Sequence, residues 1–245
     1  MKPSYGYGRG HRALEIVSIV LFFAALFSLG YRTVEAVSAE APVNRWPLAF
    51  SVVGGYLLAD FLSGVAHWMG DTVGDERTPL IGRNFVTPFR MHHVDPKDIT
   101  RHDFIETNGN SSIASIPPLT AVILVMPHRT GLLFYLCLML AVAALFVFCT
   151  NQFHKWAHAD VVPRAVRWLQ RGGVILSPQH HAIHHAAPHD KYYCITVGWM
   201  NPLLTRIGFF RGCETVLGWV YPSLLHLAER QKQQSETSAR DAAAS

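Results

Sequence analysis

Four apolar runs restrict this chain more than any other feature, because a helix needs about 20 apolar residues to cross a bilayer. The first is Ala13 to Tyr31, with Ile16 to Phe27 unbroken except for Ser18. The second runs from Trp46 to His67, with Asp60 and small residues interrupting it. The third, Ile113 to Met126, is short and carries Pro117 and Pro118. The fourth runs from Gly131 to Phe153. Half of the 245 residues are hydrophobic and only 16% are charged. The apolar residues are gathered in runs rather than spread periodically, which marks a membrane protein. The expected fold is all-α and integral to the membrane, with four transmembrane helices at about 13–31, 46–67, 113–127 and 131–153. The third is a full span, a tilted or broken one, or a re-entrant segment.

The first run has a basic front in Lys2, Arg9 and Arg12, and Ser38-Ala-Glu-Ala41 is a weak cleavage site. It reads as a retained helix rather than a signal peptide. Four spans put both termini on one side. On that arrangement eighteen of the twenty-one Lys and Arg lie there, and only Arg32, Arg45 and Arg129 lie opposite. The positive-inside rule makes the rich side cytoplasmic. The expected organisation is a cytoplasmic N-terminus at 1–12, a membrane domain at 13–228 and a disordered polar tail at 229–245. Cytoplasmic segments 70–112 and 154–228 form a helical cap. Within it Val166 to Gly173 reads as an interfacial turn, and Trp68, Trp156 and Trp199 as interfacial anchors. The location is an inner membrane in a bacterium or the endoplasmic reticulum in a eukaryote.

The net charge of +4 is too mild for nucleic acid and suits anionic headgroups. Cys137, Cys149, Cys194 and Cys213 form no C-x-x-C pair and read as reduced, packed thiols.

Fourteen histidines are present, and nine fall into tight groups at the ends of the apolar runs. These are His67, His92 and His93, His154 and His158, and His180, His181, His184 and His185. A site shared by His67 and His154 requires an even number of crossings between them, which supports four spans independently of charge. On a helix His180, His181, His184 and His185 would share one surface of about 140° and face one pocket. His154 and His158 have the spacing of a zinc-protease helix, but Lys155 stands where the general base would be, so that motif is rejected. Asp71, four residues after His67, is a ligand or a partner of one. His102 and His189 are ligands or supporting groups, while His11, His128 and His226 read as ordinary surface or core residues.

Nine imidazoles are too many for one ion, so two ions fit better. All-imidazole ligation suits iron, with zinc and copper as competitors. Iron with open positions activates dioxygen, which attack on an unactivated C–H bond requires. The residues alone therefore point to a non-haem di-iron oxidase or desaturase at a lipid interface. A membrane transporter or regulatory adaptor that binds metal is the alternative of another class. A transporter places ionisable groups within its spans, and only Asp60 is close to such a position.

Several segments resemble the CarF-like lipid desaturase family. They are Asp60-Phe-Leu-Ser-Gly-Val-Ala-His-Trp-Met-Gly-Asp-Thr72, Pro88-Phe-Arg-Met-His-His-Val-Asp-Pro96 and Ile99-Thr-Arg-His-Asp-Phe-Ile-Glu-Thr-Asn-Gly109. Thr150-Asn-Gln-Phe-His-Lys-Trp-Ala-His158, His180-His-Ala-Ile-His-His-Ala-Ala-Pro-His189 and Tyr193-Cys-Ile-Thr-Val-Gly-Trp-Met-Asn201 complete the pattern. The resemblance implies that His67, His92, His93, His154, His158, His180, His181, His184 and His185 hold two irons, with Asp71 and His102 also at motif positions. It implies dioxygen as co-substrate, a phospholipid substrate and an external electron donor of cytochrome b5 or ferredoxin type. The form of Ile99–Gly109 favours the ether-lipid branch, which converts plasmanylethanolamine to plasmenylethanolamine. The other expectation is a fatty-acyl desaturase or hydroxylase. Basic residues such as Arg90, Lys97 and Arg101 are expected to meet the headgroup phosphate.

Overall fold

The computed structural model describes residues 8–39, 45–79 and 82–221. Among them every regular element is helical. Four long helices dominate: α1 (Arg9–Ser38), α2 (Arg45–Thr72), α5 (Phe104–Val125) and α6 (Leu132–His158). Between α2 and α5 lie a π-helical turn at Gly82–Val86 and two short helices, α3 (Thr87–Val94) and α4 (Asp98–Arg101). After α6 come α7 (Arg164–Arg171), α8 (Pro178–His181), α9 (Asn201–Arg206) and α10 (Phe209–Val220). The polar tail at 229–245 and most of the N-terminal segment at 1–12 fall outside the described residues.

Helices α1, α2 and α6 are long and apolar enough to cross a membrane. Both α2 and α6 continue past the apolar runs that announced them. The extra turns carry Asp71 on α2 and His154 and His158 on α6. Helix α5 differs more from expectation. It begins at Phe104, nine residues before the apolar run, and passes through Pro117 and Pro118. Asp103 starts it by accepting hydrogen bonds from the amides of Ile105 and Glu106, both at 3.0 Å. Its polar first half stays helical because α5 packs along α1 and α6, and its side chains satisfy themselves on the helix backbone. Thr107 donates to the Asp103 carbonyl (2.7 Å), Asn108 to Phe104 (2.9 Å) and Ser112 to Gly109 (2.7 Å). A hydrogen-bonded group costs less to bury than a free one, although Asn108 Oδ1 is buried with no partner.

Direction within the bundle follows from pairs at its two ends. Arg12 of α1 bridges Asp103 at 2.7 Å, and Arg32, twenty residues later, donates to the Ile123 carbonyl at 2.6 Å and to that of Met126. Helices α1 and α5 therefore run parallel, side by side. Ser51 donates to the Tyr135 carbonyl at 2.9 Å, and the His67 and His154 rings lie 5.8 Å apart farther along, so α2 and α6 are also parallel. The core between the helices is apolar, with Phe22, Leu29, Leu119, Phe134 and Phe148 buried. Phe22 and Phe148 stack at 4.4 Å. The outer faces stay apolar as well: Phe27, Phe50 and Leu132 are each more than 70% exposed, as lipid-facing residues are.

The region after α6 forms short helices, as expected. Helix α7 buries Val166 and Gln170 and exposes Trp168 and its arginines. Trp68 corrects the sequence reading: it is buried against Phe210, with its Nε1 donating to Glu214 at 3.3 Å, and is no interfacial anchor. Glu15 is a second buried acid inside an apolar run, 3.4 Å from His11. All four cysteines are free.

Candidate metal centre

The C-terminal ends of α2 and α6 meet under the short helices, and the histidines collect there. Two groups form. His92, His154, His158, His181 and His185 make one, and His67, Asp71, His93 and His184 make the other. Within each group the ligand atoms all lie within 4.8 Å of one another. The groups adjoin, with the His181 and His184 rings 5.8 Å apart and the His93 and His185 rings 5.1 Å apart.

The geometry of the first group is that of nitrogens gathered around an ion. His181 Nε2 lies 2.8 Å from His154 Nε2 and 3.0 Å from His185 Nε2, which in turn lies 3.0 Å from His92 Nε2. Two nitrogens each about 2.1 Å from one ion, at right angles, sit about 3 Å apart. In the second group His67 Nε2, His184 Nε2 and Asp71 Oδ2 are buried with no hydrogen-bond partner. Buried polar atoms rarely stay unsatisfied, yet these three converge, with Asp71 Oδ2 3.4 Å from His184 and 3.5 Å from His67. His93 Nε2 lies 3.1 Å from the other Asp71 oxygen. The donor set thus fits two metal ions, one per group.

Tautomers are set from behind. His67 Nδ1 donates to the Tyr193 carbonyl at 3.1 Å, and His184 Nδ1 to the Lys191 carbonyl at 2.9 Å. An imidazole that donates through Nδ1 keeps its Nε2 lone pair for a metal. Burial, reinforced by neighbouring imidazoles, holds His92 and His181 below the ordinary histidine range and pushes His185 down to about 3. At neutral pH these rings are uncharged, the form that binds metal.

Eight of the nine predicted histidines and Asp71 come together in these groups. His180 does not. Helix α8 ends at His181, so no single helical surface carries all four histidines of that segment. His181, His184 and His185 turn toward the centre, while His180 Nε2 accepts from Asn201 Nδ2 at 3.0 Å, with its ring beside Tyr192. His102 also stands apart, near Asp98 (3.5 Å) and Glu106 (3.9 Å). His189 lies at the margin: its ring is 4.5 Å from that of His93, and its Nδ1 donates to the His184 carbonyl at 3.1 Å.

The three basic residues expected at a phosphate each bond within the protein, although Arg90 Nε is buried with no partner. Arg90 donates to the Gly74 carbonyl at 2.6 Å, Lys97 to the His158 carbonyl at 2.8 Å and to Asp160, and Arg101 to Asp95 and Asp98 at 2.5 and 2.6 Å. These contacts brace the short helices, while the Lys97 and Arg101 side chains stay about half exposed. A cleft of about 260 Å³ reaches the five-histidine group between Pro96, Ala157, Pro178 and Ala182.

Comparison with known proteins places this geometry. The lipid desaturase domain family matches residues 56–222. The plasmanylethanolamine desaturase of Myxococcus xanthus is 47% identical over 215 residues, covering 87% of this chain and 74% of the relative. Plasmanylethanolamine desaturase 1 of Mus musculus is 41% identical over 225 residues, covering 86% and 79%. The chloroplastic fatty acid desaturase 4 of Arabidopsis thaliana is 35% identical over 170 residues, covering 69% and 51%. No solved structure matches the chain. With that match running from the middle of α2 to the end of α10 and taking in every residue of both ligand groups, the chain belongs to the lipid desaturase family.

Proposed function

We propose that the chain desaturates the 1-O-alkyl chain of an ether phospholipid, turning a plasmanylethanolamine into a plasmenylethanolamine. The observation that carries this is the pair of adjoining ligand groups at the end of an apolar bundle, in a chain of the same family as two plasmanylethanolamine desaturases. His92, His154, His158, His181 and His185 would hold one iron, and His67, Asp71, His93 and His184 the second. Iron bound there supplies the activation of dioxygen that attack on an unactivated C–H bond needs. Two hydrogens leave the adjacent carbons beside the ether oxygen. With dioxygen, two electrons and two protons they leave as two waters, and the electrons come from a separate donor of cytochrome b5 or ferredoxin type.

The chain's own residues position and exclude. The apolar walls of the cleft at Pro96, Ala157, Pro178 and Ala182 present an alkyl segment to the five-histidine group. Positioning decides which carbon reacts. The buried His67, His181 and His184 rings keep water from the interior of the site.

The bundle crosses the membrane four times on this reading. Helix α5 keeps company with α1 from Arg12 to Arg32, so it shares the depth of that candidate span. Its proline pair is tolerable where neighbouring helices cover the freed carbonyls. The histidine end faces the cytoplasm, with eighteen of the twenty-one basic residues on its side.

The test is lipid analysis of cells supplied with alkyl-ether phospholipid and expressing the chain. The expected product is lighter by two hydrogens and releases an aldehyde in mild acid, and His181→Ala yields none. Acid-stable unsaturation confined to an ester-linked chain would move the assignment to acyl desaturation.

A further inference from the structure

The carbonyls that orient His67 and His184 belong to one irregular stretch, Lys191 to Met200, and that stretch has no helix or sheet of its own to hold it. It is held by side chains of α2, α6 and α9 instead. Asp60, wholly buried, accepts from three backbone donors: the amides of Val197 (2.9 Å), Gly198 (2.8 Å) and Met200 (3.0 Å). Ser63 accepts the Ile195 amide at 3.0 Å, and Thr150 meets Thr196 at 2.6 Å. Asn201 closes the stretch on itself. Its Oδ1 accepts from the Cys194 amide (2.8 Å), and its Nδ2 donates to the Cys194 carbonyl (2.9 Å) and to His180 (3.0 Å).

The backbone approaches are tight. A side chain on Gly64 would collide with Cys194, and one on Gly198, whose φ is +85°, would collide with the His180 ring. Only glycine fits either position, the second for conformation as well as space.

We propose that Asp60 and Asn201 are positioning residues of the metal centre, and that His180 belongs to their scaffold rather than to the ligand set. This rests on the two-metal reading above. Asp60 fixes the far end of the stretch and Asn201 fixes Cys194, the neighbour of Tyr193. Between them they place the Tyr193 and Lys191 carbonyls behind His67 and His184. An acid deep in an apolar helix is costly unless its charge is met, and here three amides meet it. Partners of metal-bound histidines, when removed, typically lower metal affinity about 10- to 100-fold.

The experiment compares the purified full chain in wild-type form with Asp60→Asn, Asn201→Ala, His180→Ala and His184→Ala. It reads iron per chain, the rate of iron loss to a chelator, the Mössbauer spectrum and helicity by circular dichroism. His184→Ala should lose iron outright. Asp60→Asn and Asn201→Ala should keep wild-type helicity, release iron about 10- to 100-fold faster and show an altered spectrum. His180→Ala should resemble them rather than His184→Ala. Ser63→Ala, which removes one bond of the same scaffold, gives a milder version should the Asp60 variant fail to fold.

Hydrogen exchange in metal-stripped protein adds a readout that does not need iron. The Val197 and Gly198 amides should exchange faster in Asp60→Asn. Wild-type iron retention and spectrum in both Asp60→Asn and Asn201→Ala would overturn the inference and leave the two-metal reading standing. His180→Ala that loses iron as fully as His184→Ala would return His180 to the ligands. A wild-type chain that binds no metal would remove the two-metal reading and this inference with it.

Discussion

Among the described residues, Asp71 is the one carboxylate in the two ligand groups. One oxygen faces His93 at 3.1 Å, and the other lies 3.4 Å from His184 and 3.5 Å from His67. Asp71→Asn keeps the shape but removes the charge, and turns an amide donor toward nitrogens that need their lone pairs. We expect iron affinity to fall about 10- to 100-fold, with activity falling alongside. Iron per chain and chelator competition measure it, and a variant that binds iron as tightly as wild type removes Asp71 from the centre. The pairing of Asp71 with His67 was legible in the sequence, because residues four apart on a helix share a face. The exclusion of His180 was not. It depends on where α8 stops, and on Asn201, twenty-one residues away in sequence, taking its ring nitrogen.

Among the elements, α5 was the hardest to read. Its polar first half and its proline pair both argue against a helix when taken alone. An aspartate cap and packing along α1 and α6 outweigh that propensity. The packing of α1 on α6 makes a prediction of its own. Phe148 stacks on Phe22 inside the bundle. In a water-soluble core Phe→Ala costs about 3–5 kcal/mol. Here the cost should be smaller, because surrounding lipid is as apolar as the core and only packing is lost. Phe148→Ala should therefore lower the thermal midpoint in detergent by a few degrees while iron content stays at the wild-type value. Loss of iron in a folded Phe148→Ala protein would mean that bundle packing and the centre are coupled.

At the scale of the molecule, both ligand groups require that α2 and α6 end on the same side of the membrane. Single cysteines placed at the exposed positions Val94 and Val161 and at Ala187 should react with an impermeant reagent from one side, in a background with the four native cysteines replaced. A cysteine at Arg129 should react only from the other. A label at Val161 reached only from the Arg129 side would break the shared centre, since Asp160 and His158 are tied through Lys97 to the Val94 side.

The sequence by itself determined the all-helical class of the fold and marked, His180 aside, the residues that the structure gathers into the two donor groups. Apolar length is a local quantity that the bilayer reads directly, and clustered imidazoles at the ends of such runs have few uses besides metal. It also marked Asp60 as an unusual acid in an apolar run, without saying what met it. The tertiary structure decided how the donors divide into two groups, which histidine is left out, and which carbonyls stand behind the rings. Those outcomes depend on the irregular stretch from Lys191 to Met200. Its conformation is imposed by α2, α6 and α9 rather than by any periodicity of its own.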